Sequence, residues 1–164
     1  MDIFLRFQSP LGAILAVCTK NGISRIEIGA AAGLTDAEST SDEMLDKCKQ
    51  QILEYLAGSR RDFELPLDWS SITGFQSEVL HLTSEISYGE VRTYGELARD
   101  LGKPAASRAV GGALSRNPLP ILIPCHRVVA ASGALTGYSA ADGINTKASL
   151  LKLEGLNIVG QKLG

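Results

Sequence analysis

The chain has 164 residues and a formal net charge of −2, from 16 basic and 18 acidic side chains. Hydrophobic residues make up 45% and charged residues 21%, a globular composition that excludes a disordered tail, a collagen and a coiled coil. No apolar run approaches the roughly 18 residues that span a bilayer, and the first residues lack the basic region and the small-residue cleavage site of a secretory signal. We therefore expect a cytoplasmic protein that does not associate with membranes.

Five side chains are candidates for a reactive thiol or a metal site: Cys18, Cys48, Cys125, His81 and His126. An odd number of cysteines with no close pair argues against a disulfide framework. Because no C-x-x-C or H-x-x-x-H spacing occurs, the sequence predicts no metal ion and no other cofactor.

Three segments near the N-terminus combine apolar and β-branched residues and are predicted as strands: residues 3–8, 13–19 and 23–28. Asn21 and Gly22, between the last two segments, favour a hairpin turn because both residues tolerate positive φ. Residues 30–41 are predicted as a loop.

A helix is predicted after this loop, with Ser41 or Asp42 as its N-cap and Gly58 at its end, because apolar side chains recur between them at helical spacing. Residues 63–67 are a further strand candidate. The first half of the chain is therefore predicted to form a small antiparallel sheet with one helix. Its two cysteines, Cys18 and Cys48, are predicted to be core residues and not reactive thiols.

The second half is predicted to be helical from about Ile72 onwards. A first helix ends at the turn over residues 87–89, and Thr93 forms a capping box with Glu96 that starts a second helix. After a turn that contains a proline, a third helix is predicted from about residue 105 to residue 114. Two helices joined by a short turn form the pattern of a helix-turn-helix.

The third of these helices consists almost entirely of small residues, with Arg108 as its one long side chain near the start. A helix that reads bases in the major groove offers several Arg, Asn or Gln side chains. Small residues instead allow a close approach to a phosphate backbone, so the sequence predicts DNA binding without sequence specificity. The alternative, which the pattern leaves open, is that small residues permit tight packing of this helix inside the protein.

Positive charge is concentrated around this predicted motif. Residues 92–127 carry six basic and two acidic side chains, although the chain is acidic overall. Such a local excess favours one face that binds a polyanion. The alternative is an ordinary solvated surface.

The segment over residues 117–128 contains three prolines and places Cys125, His126 and Arg127 in succession. A thiolate becomes a nucleophile when a cation or a base stabilises it. Because adjacent side chains diverge, we expect His126 to act on the sulfur through a bridging water. The other ring nitrogen needs a carboxylate, for which Glu154 is the best candidate. The alternative is an inert buried cysteine beside a surface histidine.

The motif Ile123-Pro124-Cys125-His126-Arg127-Val128 resembles the active-site signature of the O6-alkylguanine-DNA alkyltransferases. The similarity covers most of the chain, and its further motifs are, in chain order, Ser9-Pro10-Leu11-Gly12, Leu65-Pro66-Leu67-Asp68, Phe75-Gln76, Tyr88-Gly89-Glu90-Val91, Tyr94-Gly95-Glu96-Leu97-Ala98, Arg108-Ala109-Val110-Gly111-Gly112-Ala113, Asn117-Pro118, Ser132-Gly133, Gly137-Tyr138, Lys147, Leu150-Leu151 and Glu154. So many matches in the same order are not expected by chance.

The resemblance implies a fold and a function. The fold is an α/β, RNase H-like domain over residues 1–70, followed by an all-α, winged helix-turn-helix domain over residues 71–164. The function is DNA repair, in which the alkyl group of O6-alkylguanine in duplex DNA moves irreversibly, once per molecule, to a cysteine. O4-alkylthymine is left open as a second substrate. The implied partner is double-stranded DNA, and we expect a monomer.

The same resemblance implies catalytic roles for four residues. Cys125 is the implied alkyl acceptor, His126 its water-mediated base and Glu154 the carboxylate that orients this base. Asn117 is implied as the hinge that ties the helix-turn-helix to the active-site loop.

For DNA binding, the resemblance implies that Arg108 fills the gap left by a flipped nucleotide and that Tyr94 helps to turn its phosphate. The further implied DNA contacts are Thr93, Ala106 and Ser115. The implied guanine pocket uses backbone carbonyls, including that of Val128, and is closed by Tyr138 and Ser139.

Two other functions stay open. An alkyltransferase-like binding protein would recognise alkylguanine without chemistry, although such proteins replace the cysteine that is present here. A cysteine hydrolase would show multiple turnovers on an ester or amide. The chain departs from the family pattern at Leu80, where an aromatic residue is usual, and over residues 139–146, a slightly longer loop that borders the expected alkyl pocket.

Overall fold

The computed structural model describes residues 2–29 and 42–164. The chain divides into two compact units, Met1–Ser71 and Ile72–Gly164. Each unit has buried hydrophobic clusters of its own. The loop predicted over residues 30–41 lies outside the described residues.

The N-terminal unit is built on a three-stranded antiparallel sheet in the order β1 (Ile3–Ser9), β2 (Gly12–Thr19) and β3 (Gly22–Ile28). The three predicted strands are confirmed to within one residue at each end. The central strand is buried from Ile14 to Cys18. Gly22 suits the turn because its φ is +139°, and a Cβ there would collide with the carbonyl of Pro66.

Helix α1 (Glu43–Leu56) packs against all three strands of this sheet. Of the two predicted cap residues, Asp42 is the N-cap, and its Oδ1 accepts hydrogen bonds from the amides of Met44 at 2.8 Å and Leu45 at 3.2 Å. The helix ends just before Gly58, as predicted. Its buried, mostly apolar face carries Leu45, Cys48, Ile52 and Tyr55.

The strand predicted over residues 63–67 is wrong, since one isolated bridge is all that forms there. Pro66 has no amide hydrogen to donate. The amide of Glu64 donates to the side-chain Oε1 of Gln51 at 2.9 Å. The carbonyl of Pro66 still accepts a hydrogen bond from the amide of Ile23 at 2.8 Å, which belongs to the isolated bridge. Because the backbone nitrogens of residues 64 and 66 donate to no neighbouring strand, the bridge does not extend into a ladder.

The C-terminal unit contains four α-helices: α2 (Gly74–Ser84), α3 (Tyr94–Asp100), α4 (Ser107–Ser115) and α5 (Ile144–Leu153). Helix α4 packs against both α2 and α3. The predicted cap of α3 is confirmed, because Oγ1 of Thr93 accepts a hydrogen bond from the amide of Glu96 at 3.1 Å. Helix α4 begins later than predicted, because the amide of Ala106 still bonds to the carbonyl of Lys103 in the preceding turn.

The prediction that this unit is all-α is wrong. It also contains a parallel pair, β4 (Arg92–Thr93) with β5 (Val128–Val129), and an antiparallel pair, β6 (Ile158–Val159) with β7 (Lys162–Leu163). Strands of two residues are too short to show an alternating pattern in the sequence. The β4–β5 pair positions the site, because it joins the start of α3 to the segment that follows Cys125.

Five buried residues form a core cluster around β5, α5 and β6: Val129, Leu135, Ala148, Leu151 and Ile158. Throughout residues 2–29 and 42–164, no helix has both the length and the apolar content that crossing a membrane requires.

Candidate active site

The loop between α4 and β5 is mostly buried and is held in shape by Asn117. Nδ2 of Asn117 donates a hydrogen bond to the carbonyl of Ile123 at 3.0 Å, and its Oδ1 accepts one from the amide of Leu119 at 2.9 Å. Within the loop, Ile121 has a φ of +73°, which a β-branched residue adopts only when its surroundings impose it. Asn117 therefore closes a tight loop that leads into Cys125.

Cys125 begins a 3₁₀ turn, Cys125–Arg127, at the end of this loop. The residue is 8% exposed. Burial raises the pKa of its thiol, whereas the Asn117 amide and the Lys147 ammonium act in the opposite direction. A thiol in this state needs a base before it can act as a nucleophile.

His126 and Glu154 form a fully buried pair. Nε2 of His126 lies 2.8 Å from Oε2 of Glu154, which caps the C-terminus of α5. Burial lowers the pKa of His126, and the Glu154 carboxylate acts against this effect. The imidazole is therefore neutral at neutral pH, as a proton acceptor must be. The structure thus brings together the histidine and the carboxylate that the sequence predicted, directly beside Cys125 in the chain.

The sequence predicted Arg127 only as a cation beside the thiol, but its guanidinium is bonded to Glu154. Nε donates to Oε1 at 2.8 Å, and Nη2 donates to Oε2 at 3.0 Å. Nη1 donates to the carbonyl of Ile86 at 2.7 Å. One sequence signal could have indicated a buried partner for Arg127: it is an arginine inside an apolar segment, and a buried guanidinium needs hydrogen-bond partners.

Lys147 is a second buried cation, which the residue patterns alone did not assign to the site. Its ammonium donates to the carbonyls of Val128 and Thr136, the latter at 2.8 Å. It also lies 5.8 Å from the ring centroid of Tyr94. Burial lowers the pKa of Lys147 to about 8. This side chain therefore ties β5 to the loop that precedes α5.

A cavity of about 310 Å³ opens beside α3 and α4. Its lining consists of Tyr94, Ser107, Arg108, Gly111, Thr136 and Gly137. The Tyr94 hydroxyl donates to the Thr136 carbonyl at 2.9 Å and accepts from Oγ1 of the same threonine at 3.2 Å. Two predicted DNA-binding residues, Tyr94 and Arg108, thus share one cavity.

The residues predicted to form the guanine pocket lie on two segments, strand β5 and the loop that precedes α5. Val128 is buried in β5. Tyr138 is buried, and its hydroxyl has no hydrogen-bond partner among the described residues; burial raises its pKa well above the ordinary value. Ser139 is exposed, and its Oγ donates to the carbonyl of Ser115 at 3.2 Å, which ties this loop to the end of α4.

The remaining predicted DNA contacts lie at helix ends. Thr93 is the N-cap of α3, and Ala106 is the N-cap of α4. Ser115 is the exposed last residue of α4, where its hydroxyl donates to the carbonyl of Gly112 at 2.8 Å. Thr93 is half-buried and its hydroxyl is engaged within its own helix cap.

A larger cavity, of about 620 Å³, lies in the N-terminal unit beside Cys18. Burial and the Asp42 carboxylate raise the pKa of Cys18, so this thiol is not activated. Within the described ranges 2–29 and 42–164, no group of three His, Cys, Asp or Glu side chains is arranged to hold a metal ion.

Comparison with known proteins matches both halves of the chain to one family. A model of the 6-O-methylguanine DNA methyltransferase DNA binding domain matches residues 74–156, and a model of the ribonuclease-like domain of the same family matches residues 6–69. The methylated-DNA–protein-cysteine methyltransferase of Methanosarcina acetivorans is 41% identical over 152 residues, which cover 91% of this chain and 96% of the relative.

Two further similarities extend over nearly the whole chain. The constitutive methylated-DNA–protein-cysteine methyltransferase of Bacillus subtilis is 38% identical over 160 residues, which cover 94% of this chain and 96% of the relative. The crystal structure of Mycobacterium tuberculosis OGT in complex with DNA is similar with a TM-score of 0.79 and 37% identity, covering 92% of this chain and 91% of that chain.

Proposed function

The chain belongs to the 6-O-methylguanine DNA methyltransferase family, and we propose that Cys125 is the residue that receives the alkyl group. The protein is a DNA repair methyltransferase that transfers the alkyl group of O6-alkylguanine in DNA to a cysteine of its own. It has the two-domain architecture of the family, a ribonuclease-like domain followed by a DNA-binding domain. Because the acceptor is part of the protein, each molecule acts once.

The assignment of Cys125 is carried by the buried histidine–carboxylate pair that begins at the next residue. His126 lies 2.8 Å from Glu154, and both side chains are fully buried. The other two thiols have no comparable setting. Burial raises the pKa of Cys48 to about 12 on the core face of α1, and the pKa of Cys18 is raised as well.

In the proposed reaction, His126 receives the thiol proton of Cys125 through a bridging water, and Glu154 stabilises the imidazolium that forms. The sulfur then forms a bond to the alkyl carbon while the bond between that carbon and guanine O6 breaks. The electron pair of the broken bond stays with guanine, which receives the proton from His126. The product is a thioether, which has no good leaving group, so the transfer is not reversed.

The DNA-binding role is proposed for α3, the following turn and α4, which together form a helix-turn-helix. Guanine O6 cannot be reached inside a stacked duplex, so the nucleotide must be flipped out at a cost of a few kcal/mol. Arg108 is exposed on α4 and would fill the vacated space. Tyr94 borders the same cavity and would turn the phosphate. The winged form of the fold is part of the proposal, and the antiparallel pair β6–β7 supports it.

The remaining site residues are proposed from their places around this helix pair. Asn117 would link α4 to the active-site loop, since its side chain closes that loop. The further proposed DNA contacts, at the ends of α3 and α4, are Thr93, Ala106 and Ser115. The proposed guanine pocket is formed by Val128, Tyr138 and Ser139.

We also propose domain limits, an oligomeric state and a cellular location. Residues 1–70 would form the ribonuclease-like domain, and residues 71–164 the DNA-binding and transfer domain. One chain supplies the acceptor, the base and the DNA-binding helices, so a monomer suffices. A thiol that must stay reduced suits the cytoplasm.

The test is transfer from a duplex oligonucleotide that contains radiolabelled O6-methylguanine, followed by peptide mass mapping. We expect one label per protein molecule, on the peptide that contains Cys125. Cys125→Ala should abolish transfer while keeping its affinity for the duplex, whereas Cys48→Ala is the matched control and should transfer normally.

Three outcomes would contradict the proposal. Transfer that persists in Cys125→Ala would place the acceptor elsewhere. Binding of the lesion without any mass change of the parent protein would favour an alkyltransferase-like binding protein. Repeated turnover on an ester or amide would favour a cysteine hydrolase.

A further inference from the structure

The carboxylate of Glu154 is shared between a histidine and an arginine. Arg127 donates to both of its oxygens, from Nε to Oε1 at 2.8 Å and from Nη2 to Oε2 at 3.0 Å. His126 lies against Oε2 at 2.8 Å, and the amide of Gly89 donates to Oε1 at 3.1 Å. The Glu154 side chain is fully buried, and that of Arg127 is 8% exposed.

A carboxylate in this position would be costly to keep ionised without the arginine. An isolated charge in a protein interior is strongly disfavoured and tends to be neutralised by taking up a proton. A guanidinium stays charged at every working pH, and its fork matches the two oxygens of one carboxylate. Glu154 is therefore held as an acceptor, so that the hydrogen between it and His126 belongs to the imidazole Nε2.

We propose that Arg127 is a positioning residue for the transfer reaction, whose two-pronged contact keeps Glu154 ionised and thereby holds His126 as the neutral imidazole with its proton on Nε2. The basic nitrogen is then Nδ1, which takes the thiol proton. This inference rests on the proposed roles of Cys125 and His126 and adds one residue to them.

The Arg127 guanidinium also has contacts other than Glu154, so its orientation does not depend on the carboxylate alone. Nη1 donates to the carbonyl of Ile86 at 2.7 Å, in the segment that follows α2. The same guanidinium lies 5.8 Å from the ring centroid of Tyr88, whose hydroxyl donates to the carbonyl of Leu153 at 3.2 Å. The Arg127 side chain is thus held by contacts with two segments, the turn after α2 and the end of α5.

The charged groups around His126 act in opposite senses. Burial lowers its pKa, the Glu154 carboxylate raises it, and the cations Arg127 and Lys147 lower it. Cys125 adds a titratable thiol on the same turn. Helix α2 also packs against this turn, and its own titratable side chains, Glu78 and His81, are exposed to solvent.

Arg127 therefore controls whether His126 is free to accept the thiol proton at the pH of the reaction. The thiol proton must move to His126 and then to guanine as the C–O6 bond breaks. Without Arg127, the His126–Glu154 pair would bind a proton at a higher pH and hold it before the thiol is deprotonated. The base would be blocked under conditions in which the parent protein works.

The test is the pH dependence of single-turnover transfer from an O6-methylguanine duplex, with duplex affinity measured in parallel. For Arg127→Gln, we expect the acid limb of the rate profile to move up by about one pH unit, which slows transfer at pH 6 roughly tenfold and leaves it partly recovered at pH 8.5. For Arg127→Lys, which keeps the charge, the acid limb should stay in place while the rate falls. Arg60→Gln is the matched control, because it removes a surface arginine that is paired with Glu54 in the N-terminal unit, and its profile should equal that of the parent.

A rate loss in Arg127→Gln that is the same at every pH would overturn the proposal, because a purely structural role predicts that result. If Arg127→Gln does not fold, the pH profile of Arg127→Lys and the protonation state of His126 in the parent protein still test the proposal. The ¹⁵N chemical shifts of the His126 ring in the parent at pH 7 should show the neutral form protonated at Nε2, with the exposed His81 as an internal reference. An imidazolium, or a proton on Nδ1, would contradict the inference. Mapping of the alkyl group to Cys125 in the parent tests the proposed function separately.

Discussion

Asn117 holds the loop that presents the cysteine, through one hydrogen bond given and one received. Its Nδ2 bonds to the carbonyl of Ile123, a fully buried residue two positions before Cys125. Its Oδ1 fixes the amide of Leu119. Because the Asn117 side chain bonds to two backbone groups of the loop, we expect its main role to be to fix the conformation of that loop.

We expect Asn117→Ala to destabilise the protein by about 1–3 kcal/mol, because it leaves a buried carbonyl without its donor. It should also slow alkyl transfer, because the turn that carries Cys125 is no longer held in place. Urea unfolding and the single-turnover rate are the measurements. Asn21→Ala, at an exposed hairpin turn, is the control and should change stability by no more than about 0.5 kcal/mol. Equal effects of the two variants would contradict the role of Asn117.

Chemical type alone suggested some of the proposed site residues and not others. A cysteine followed directly by a histidine, with a glutamate on a later helix, predicts a thiol, a base and its orienting carboxylate. The fork of Arg127 on Glu154 joins residues that are 27 positions apart, and no local pattern records that contact. Lys147 was missed as a site residue for the same reason, since its partners are backbone carbonyls of other segments.

Helix α4 and the turn before it have one buried face and one exposed face. Val110, Ala113 and Leu114 are buried against the rest of the unit, so internal packing accounts for that side. Ala105 and Ala109 are exposed. The packing alternative therefore does not explain the exposed positions, which instead favour the proposed close approach of α4 to DNA.

We expect Ala109→Gln to leave the fold intact and to weaken duplex binding by more than tenfold, because a long side chain on the exposed face of α4 keeps the phosphate backbone away. Thermal unfolding and duplex titration measure the two effects. Ser149→Gln, at an exposed position of α5, is the matched control and should bind DNA as the parent does. Normal binding by Ala109→Gln would exclude this face of α4 from the DNA contact.

Predicted elements were correct where a local signal specified them. The hairpin of β2 and β3, the Asp42 cap and the Thr93 cap each depend on residues within one turn of each other. The strand expected over residues 63–67 failed because a side chain of α1 took the amide of Glu64. A contact between distant segments overrode the local pattern there.

Stability of the protein as a whole should depend on pH through His126. Its pKa in the folded state is lowered by burial, so the unfolded chain binds more protons as pH falls below the ordinary histidine value of about 6.5. By linkage, the free energy of unfolding then decreases as the pH falls. Asp68 and Glu96, whose pKa values are lowered, act in the same direction but only near and below their ordinary values of about 4.

We therefore expect the free energy of unfolding to fall between pH 7.5 and pH 5.5 in the parent and to fall less in His126→Gln, which cannot titrate. Urea unfolding at several pH values in this window provides the comparison. His81→Gln is the control, since His81 is exposed, and it should keep the slope of the parent. Identical slopes in the parent and His126→Gln would show that the buried imidazole does not control this loss.

The amino-acid sequence by itself determined the family, the Cys-His-Arg motif that contains the proposed acceptor Cys125, and the helices and strands whose signals lie within a few residues. Such features depend on residue type and short spacing, which are written directly in the chain. Only the tertiary structure decided that Arg127 and His126 share the carboxylate of Glu154, that Lys147 is buried between two carbonyls, and that β4 pairs with β5. The physical reason is that buried charges must find partners and short strands must find a neighbour, and packing brings those partners from distant parts of the chain.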